Sequence, residues 1–159
     1  MHVGPLGAGH KMKLVNNFVA MSYVAIYAEA FTTAQKTGVP LEKFHEVISA
    51  GGLNSGMFQN VCKWVIGGDP KAHEFTLANC DKDIRYYNQL ADSEKLTTVV
   101  ASAVKQSYAM ALAMGRGADN MPMLADAVAN FNGVTIQPES RRTGKKPAKA
   151  KAKKGKKKK

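Results

Sequence analysis

The chain of 159 residues is short of the features that define several protein classes. It has two cysteines, Cys62 and Cys80, with no second pair and no histidine at ligand spacing. That is a weak basis for a disulfide or a metal site, and both read as reduced, partly buried structural thiols. His2, His10, His45 and His73 are scattered with no two on one helical face, so no metal is assigned. No uninterrupted apolar run reaches the roughly 18 residues of a membrane span, and the N-terminus lacks the charged and apolar sections of a secretory signal. The expectation is a cytoplasmic protein without a membrane partner. Strand-like alternation is confined to residues 133 to 137, and no internal repeat of useful length is present.

Net charge is missing from most of the molecule as well. The formal net charge is +11, yet residues 141 to 159 hold twelve Lys or Arg and no acid. Residues 1 to 140 carry eleven basic against twelve acidic side chains, a net of −1, so the high isoelectric point describes the C-terminal end alone. After Pro138 the composition becomes dominated by Lys, Arg, Ala, Gly and Pro, ending "RRTGKKPAKAKAKKGKKKK". A segment with so few apolar side chains cannot offset its ordering entropy and is expected to be disordered. Its lysines could neutralise the phosphates of nucleic acid or another polyanion. With no aromatic among them, stacking on single strands is not expected. The division is therefore one domain over 1–138 and a Lys-rich tail over 139–159.

The 1–138 part reads as helices. Residues 11 to 37 contain no Gly or Pro and are apolar or small on most faces, the pattern of a helix enclosed by protein. Gly38 and Pro40 separate it from "LEKFHEVISAG", with Leu41, Phe44, Val47 and Ile48 on one stripe. "GGLNSG" is a loop, and residues 57 to 67 form a third helix ended by two glycines. Leu77, Cys80, Ile84 and Tyr87 mark a fourth over 76 to about 90, and residues 97 to 114 a fifth ending at Gly115-Arg116-Gly117. A last helix spans 119 to 131, with Asp126 outward and Met123, Leu124, Val128 and Phe131 inward. The fold class is all-α, a helical bundle around one long central helix. That helix carries more apolar surface than one small monomer can cover, so self-association through residues 11–37 is expected.

Within that apolar helix, Lys13 and Asn17 stand four apart and so share a face. A cation near the positive end of a helix dipole is disfavoured unless it meets a partner or ligand. Lys13 is thus a candidate general acid/base, and Asn17, donor and acceptor at once, a candidate for orienting a substrate. Spacing alone leaves open that Lys13 only extends to solvent from a helix end. Gly7-Ala8-Gly9 is followed by no strand, which argues against a Rossmann phosphate loop.

"GPLGAGHKMKLVNN" resembles the G-x-G-x-x-x-K-x-x-N-N signature that opens the C-terminal domain of the β-hydroxyacid dehydrogenase (3-hydroxyisobutyrate dehydrogenase-like) family. "FTLANCDKDIRYYNQLA" resembles the family's F-x-L-x-x-x-x-K-D segment, with Phe75, Lys82 and Asp83 in place, and "GRGADNMPM" resembles its G-x-G-x-x-D loop. The resemblance implies a 6-phosphogluconate dehydrogenase C-terminal-domain-like fold and use of NAD or NADP. It implies that Lys13 is the catalytic lysine, that Asn17 binds substrate, and that Phe75 and Lys82 meet the nicotinamide end of the cofactor. Asp83 is assigned to helix geometry. An acid often follows seven positions after the motif lysine, but Gln89 stands there. In this family a Rossmann domain precedes the helical one, so the chain reads as the catalytic and dimerisation half of an enzyme for a short 3-hydroxyacid or its semialdehyde, inactive alone. The alternative is a polyanion-binding protein that acts through its tail on a repurposed helical domain.

Overall fold

The computed structural model describes residues 3–143. Seven α-helices follow one another among them: α1 Ala8–Thr37, α2 Leu41–Ala50, α3 Gly56–Val65, α4 Leu77–Ser93, α5 Val99–Ala113, α6 Leu124–Phe131 and α7 Glu139–Thr143. A 3-10 turn, Met121–Met123, leads into α6. The all-α architecture is that expected from the sequence, and the differences are local.

Glycines set both ends of α1. Gly7 takes a left-handed φ of 90°, so the helix starts at Ala8, three residues earlier than the Gly-free run suggested. Gly38, at φ 79°, closes the other end, and the Val39 N–H returns to the Ala34 carbonyl at 2.9 Å. One side of the helix, through Met21, Val24, Ala25, Ala28 and Phe31, is the centre of the core. Helices α3, α4, α5 and α6 surround it. Phe31, Phe44 and Phe58 pack around its C-terminal half, with Phe31 and Phe44 edge to face at 5.1 Å. The buried Tyr108 hydroxyl ties α5 to α1 by donating to the Met21 carbonyl at 3.0 Å. Cys62 and Cys80 are free and buried, and burial pushes the Cys62 thiol up to about 12, which keeps it an inert space-filler.

Four expectations are corrected. Val47 is exposed although it sits on the apolar stripe of α2, because only Leu41, Phe44 and Ile48 reach the core. Residues 119 to 123 do not join the last helix, since Pro122 brings no N–H and the Asp119 carbonyl is spent on α4. Phe131, the last residue of α6, points outward, whereas Asp126 is drawn in by the Trp64 indole, whose Nε1 donates to it at 2.7 Å. Burial raises the Asp126 carboxyl above its ordinary value, opposed by Trp64 and by Arg116 and Arg141.

The fourth correction concerns the start of the tail. Residues 134 to 138 run as an extended strap rather than a paired strand, with Val134, Ile136 and Pro138 turned into the core. The Gln137 N–H meets the Gln35 side chain at 2.9 Å. The chain then forms α7 where the tail was expected to begin. The Ser140 N–H donates to Glu42 at 2.8 Å and its hydroxyl to the Ile66 carbonyl at 3.0 Å. Arg141 lies over the Trp64 ring, 4.7 Å from its centre, and donates to the Trp64 carbonyl. Gly68, next to Arg141, takes a left-handed φ of 70° that suits a residue without a Cβ. The polar and stacking partners on α2 and α3 thus outweigh composition for residues 139 to 143. The expectation of a disordered tail beyond them falls on residues 144–159, outside the described residues.

Trp64 is the chain's one tryptophan, so its fluorescence reports on this clasp. Arg141→Ala should shift Trp64 emission and lower stability by about 1 kcal/mol in urea titrations. Ending the chain at Thr143 should change neither. An Arg141→Ala spectrum identical to the parent would place Arg141 in solvent.

Candidate functional site

The three motif segments meet along α4. A helix begins with N–H groups that lack intrahelical partners, and here they are met individually. Leu77 N–H donates to the Asp119 carbonyl at 2.8 Å, Ala78 N–H to the Gly117 carbonyl at 3.0 Å, and Asn79 N–H to the Thr76 hydroxyl at 3.3 Å. Gly115, at φ 77°, turns the chain out of α5, and the Arg116 Nε bond to Asp119 at 2.7 Å holds the loop so that its carbonyls face α4. The Met121 N–H completes the seam on the Phe75 carbonyl at 2.7 Å. The glycine loop therefore fixes the position of α4 and everything it carries.

Asp83 stands farther along α4, its side chain only 3% exposed. Asn17 Nδ2 donates to Asp83 Oδ2 at 2.8 Å, Lys13 Nζ lies 3.8 Å from the same oxygen, and Lys82 Nζ lies 3.7 Å from Oδ1. One turn beyond, Phe18 and Tyr87 stack at 4.3 Å and continue the α1–α4 contact. Because α1 starts at Ala8, Lys13 sits in the second turn rather than the first. Its side chain is 66% exposed and that of Lys82 53%. Two ammonium groups and an amide are thus held on one buried carboxylate at an open face. That shelf carries a local excess of positive charge and offers a proton-bearing amine to a small anion.

The structure brings Lys13, Asn17 and Lys82 together but not Phe75. Phe75 precedes α4, about 10 Å along it from Lys82, and its half-buried ring packs against the core. Lys82 takes Asp83 of its own motif as partner, while Gln89 is exposed. Asp83 is the residue that sequence reasoning undervalued. The available signal was its place beside Cys80 and Ile84 on the buried stripe of α4, where a carboxylate needs donors. A groove of about 540 Å³, lined by Glu29, Lys36, Met110, Phe131 and others, opens at the far end of α1. It is about 30 Å along the helix from Lys13 and takes no part in this cluster.

The geometry is that of a helical domain wound on one long helix, with a Lys-Asn pair set against a Lys-Asp pair. The chain belongs to the family described as the NAD-binding domain of NADP-dependent 3-hydroxyisobutyrate dehydrogenase, whose model matches residues 7–127. It is 31% identical over 119 residues to the chicken cytokine-like nuclear factor N-PAC, covering 75% of this chain and 21% of that protein. It is 30% identical over 131 residues to the chloroplastic glyoxylate/succinic semialdehyde reductase 2 of Arabidopsis thaliana, covering 80% and 35%. A 3-hydroxyisobutyrate dehydrogenase structure from Salmonella typhimurium superposes with a TM-score of 0.70 at 26% identity, covering 79% of this chain and 42% of that one. The chain thus spans less than half the length of these relatives.

Asp83→Ala should cost about 2 kcal/mol, because it strips the Asn17 amide of its acceptor and leaves a cavity between α1 and α4. Asp83→Asn keeps the volume and one acceptor and should cost less than half as much in the same urea titration.

Proposed function

We propose that this chain supplies the helical half of a nicotinamide-dependent β-hydroxyacid dehydrogenase, acting on a short 3-hydroxyacid or its semialdehyde. The observation that carries the reading is the convergence of Lys13, Asn17 and Lys82 on Asp83. In reduction the Lys13 ammonium gives a proton to the carbonyl oxygen, and in oxidation the neutral amine takes the proton of the substrate hydroxyl. Asn17, fixed by Asp83, orients the substrate, and the excess positive charge of the shelf favours its carboxylate. Lys13 therefore acts at the face of α1 that is held against α4.

NAD or NADP would supply hydride transfer. The exposed Lys82 ammonium suits the polar part of a nicotinamide, whereas Phe75 stands too far along α4 to share the same ring with it. Nothing among the described residues suits the diphosphate, which calls for a strand, a glycine turn and a helix N-terminus. Substrate and ring must be held in near contact for hydride transfer, so the chain by itself is proposed not to turn over. Self-association through residues 11–37 belongs to the same reading, by the apolar surface that α1 leaves uncovered.

The test fuses a Rossmann domain from a relative to Met1 and assays short 3-hydroxyacids with each nicotinamide. Activity should appear in the fusion and fall about 10²–10⁴-fold in Lys13→Ala. Asn17→Ala should lower kcat/KM, and Lys82→Ala should weaken cofactor binding. A fusion indifferent to Lys13→Ala would overturn the assignment, as would robust turnover by the unfused chain.

The basic end carries a separate proposal. Residues 144–159 contain ten lysines and no acid, which suits a nucleic acid or other polyanion without base preference. Residues 1–159 should be retained on heparin and released steeply by salt, and residues 1–143 should not.

A further inference from the structure

The groove at the C-terminal end of α1 has a lining with a pattern of its own. Its volume of about 540 Å³ falls within the range of about 300–1,000 Å³ that small-ligand sites occupy. Val128 and Val134 are buried beneath it, and Met110 is half-buried. Phe131, which the stripe of α6 predicted to turn inward, instead lines this groove with its ring 66% exposed. An apolar surface is thus offered to whatever enters.

Two opposite charges stand on its α1 wall. Glu29 and Lys36 are seven residues apart, so they share a face to within about 20° and are separated by about 10 Å along the axis. Neither makes an ion pair or a side-chain hydrogen bond among the described residues. The Thr33 and Ser107 hydroxyls, which line the same groove, are also without partners there. Asn132 spends its Nδ2 on the Val128 carbonyl at 2.8 Å and keeps its Oδ1 to accept. The complement of this lining is a molecule with a cation at one end, an anion about 10 Å away, donors and acceptors between them and an apolar branch. Three extended residues span about 10 Å. We propose that the groove binds a short peptide with free ends, about three residues long, with its α-ammonium at Glu29 and its carboxylate at Lys36. Its amide groups then meet Thr33, Ser107 and Asn132, and an apolar side chain lies on Met110 and Phe131.

Simpler ligands fit this lining less well. A phosphate or a fatty acid would meet Glu29 and the C-terminal ends of both α1 and α6, which close on the groove at Thr37 and Phe131 and carry partial negative charge. A plain amine would leave the Lys36 ammonium unanswered. A zwitterion of the right length answers both charges, and Lys36, in the last turn of α1, is held where the helix dipole favours a cation. The site lies about 30 Å along α1 from Lys13 and does not depend on the catalytic reading.

The experiment uses the full chain with isotope-labelled methionine methyl groups, the Met110 signal being identified by Met110→Leu. Titration with the tripeptide alanyl-leucyl-alanine should move the Met110 resonance saturably and leave that of Met12, beside the Lys13 shelf, in place. Acetylating the amine or amidating the carboxylate should each weaken binding about two- to fivefold, the range of an exposed ion pair. Glu29→Gln should bind the free and acetylated peptides equally, and Lys36→Gln the free and amidated ones, with the helical circular dichroism of both variants unchanged because the two side chains are exposed. A Met110 signal that stays fixed at millimolar peptide would overturn the proposal, as would a Met12 signal that moves in its place. Acetylation that costs Glu29→Gln as much as the parent would overturn the orientation. A peptide blocked at both ends, with an internal lysine and glutamate, that binds more tightly than the free tripeptide would overturn the free peptide in favour of a segment of a larger protein.

Discussion

A carboxylate with almost no access to water holds the two helices that matter most in this fold. Asp83 would be costly to bury alone, and it is tolerated because Asn17, Lys13 and Lys82 approach its two oxygens from α1 and from its own helix. The bond to Asn17 crosses between elements 66 residues apart and fixes how α4 lies against α1. The Phe18–Tyr87 stack then fills the next layer with apolar surface. Structure and candidate chemistry share one support here. Whatever holds α4 in place also holds the lysines.

That dependence runs back through the loop after α5. Its carbonyls take the first N–H groups of α4, and the Arg116–Asp119 pair keeps it in shape. Arg116 also approaches Asp126 at 3.9 Å, and Asp126 is bonded to Trp64, on which Arg141 lies. A run of polar contacts thus joins the end of the described chain, the glycine loop and the head of α4. The body is nearly neutral although the chain is strongly basic, so these pairs are local balances rather than a response to the overall charge.

Much was legible without coordinates because it is local. Helix positions followed from apolar periodicity, and Gly38, Gly67-Gly68 and Gly115 punctuated the chain because left-handed or open backbone suits residues without a Cβ. The family followed from motif spacing, and Lys13 and Asn17 share a face because any helix places residues four apart on one side. Even the strap at 134 to 138 left its trace as the alternation at 133 to 137, although no strand partner exists for it among the described residues.

What only tertiary structure decided are partnerships between distant segments. Composition placed residues 139 to 143 in a tail, but Glu42, Ile66 and Trp64 supply bonds that make them a docked helix. Asp126 looked like an outward acid until the Trp64 indole claimed it, and Asp83 looked like helix scaffolding until Asn17 met it. The sequence by itself determined which residues could stand on which face, since helix geometry has one period. Which faces meet, and therefore which polar groups are satisfied in the interior, depends on contacts separated by tens of residues that no local pattern encodes.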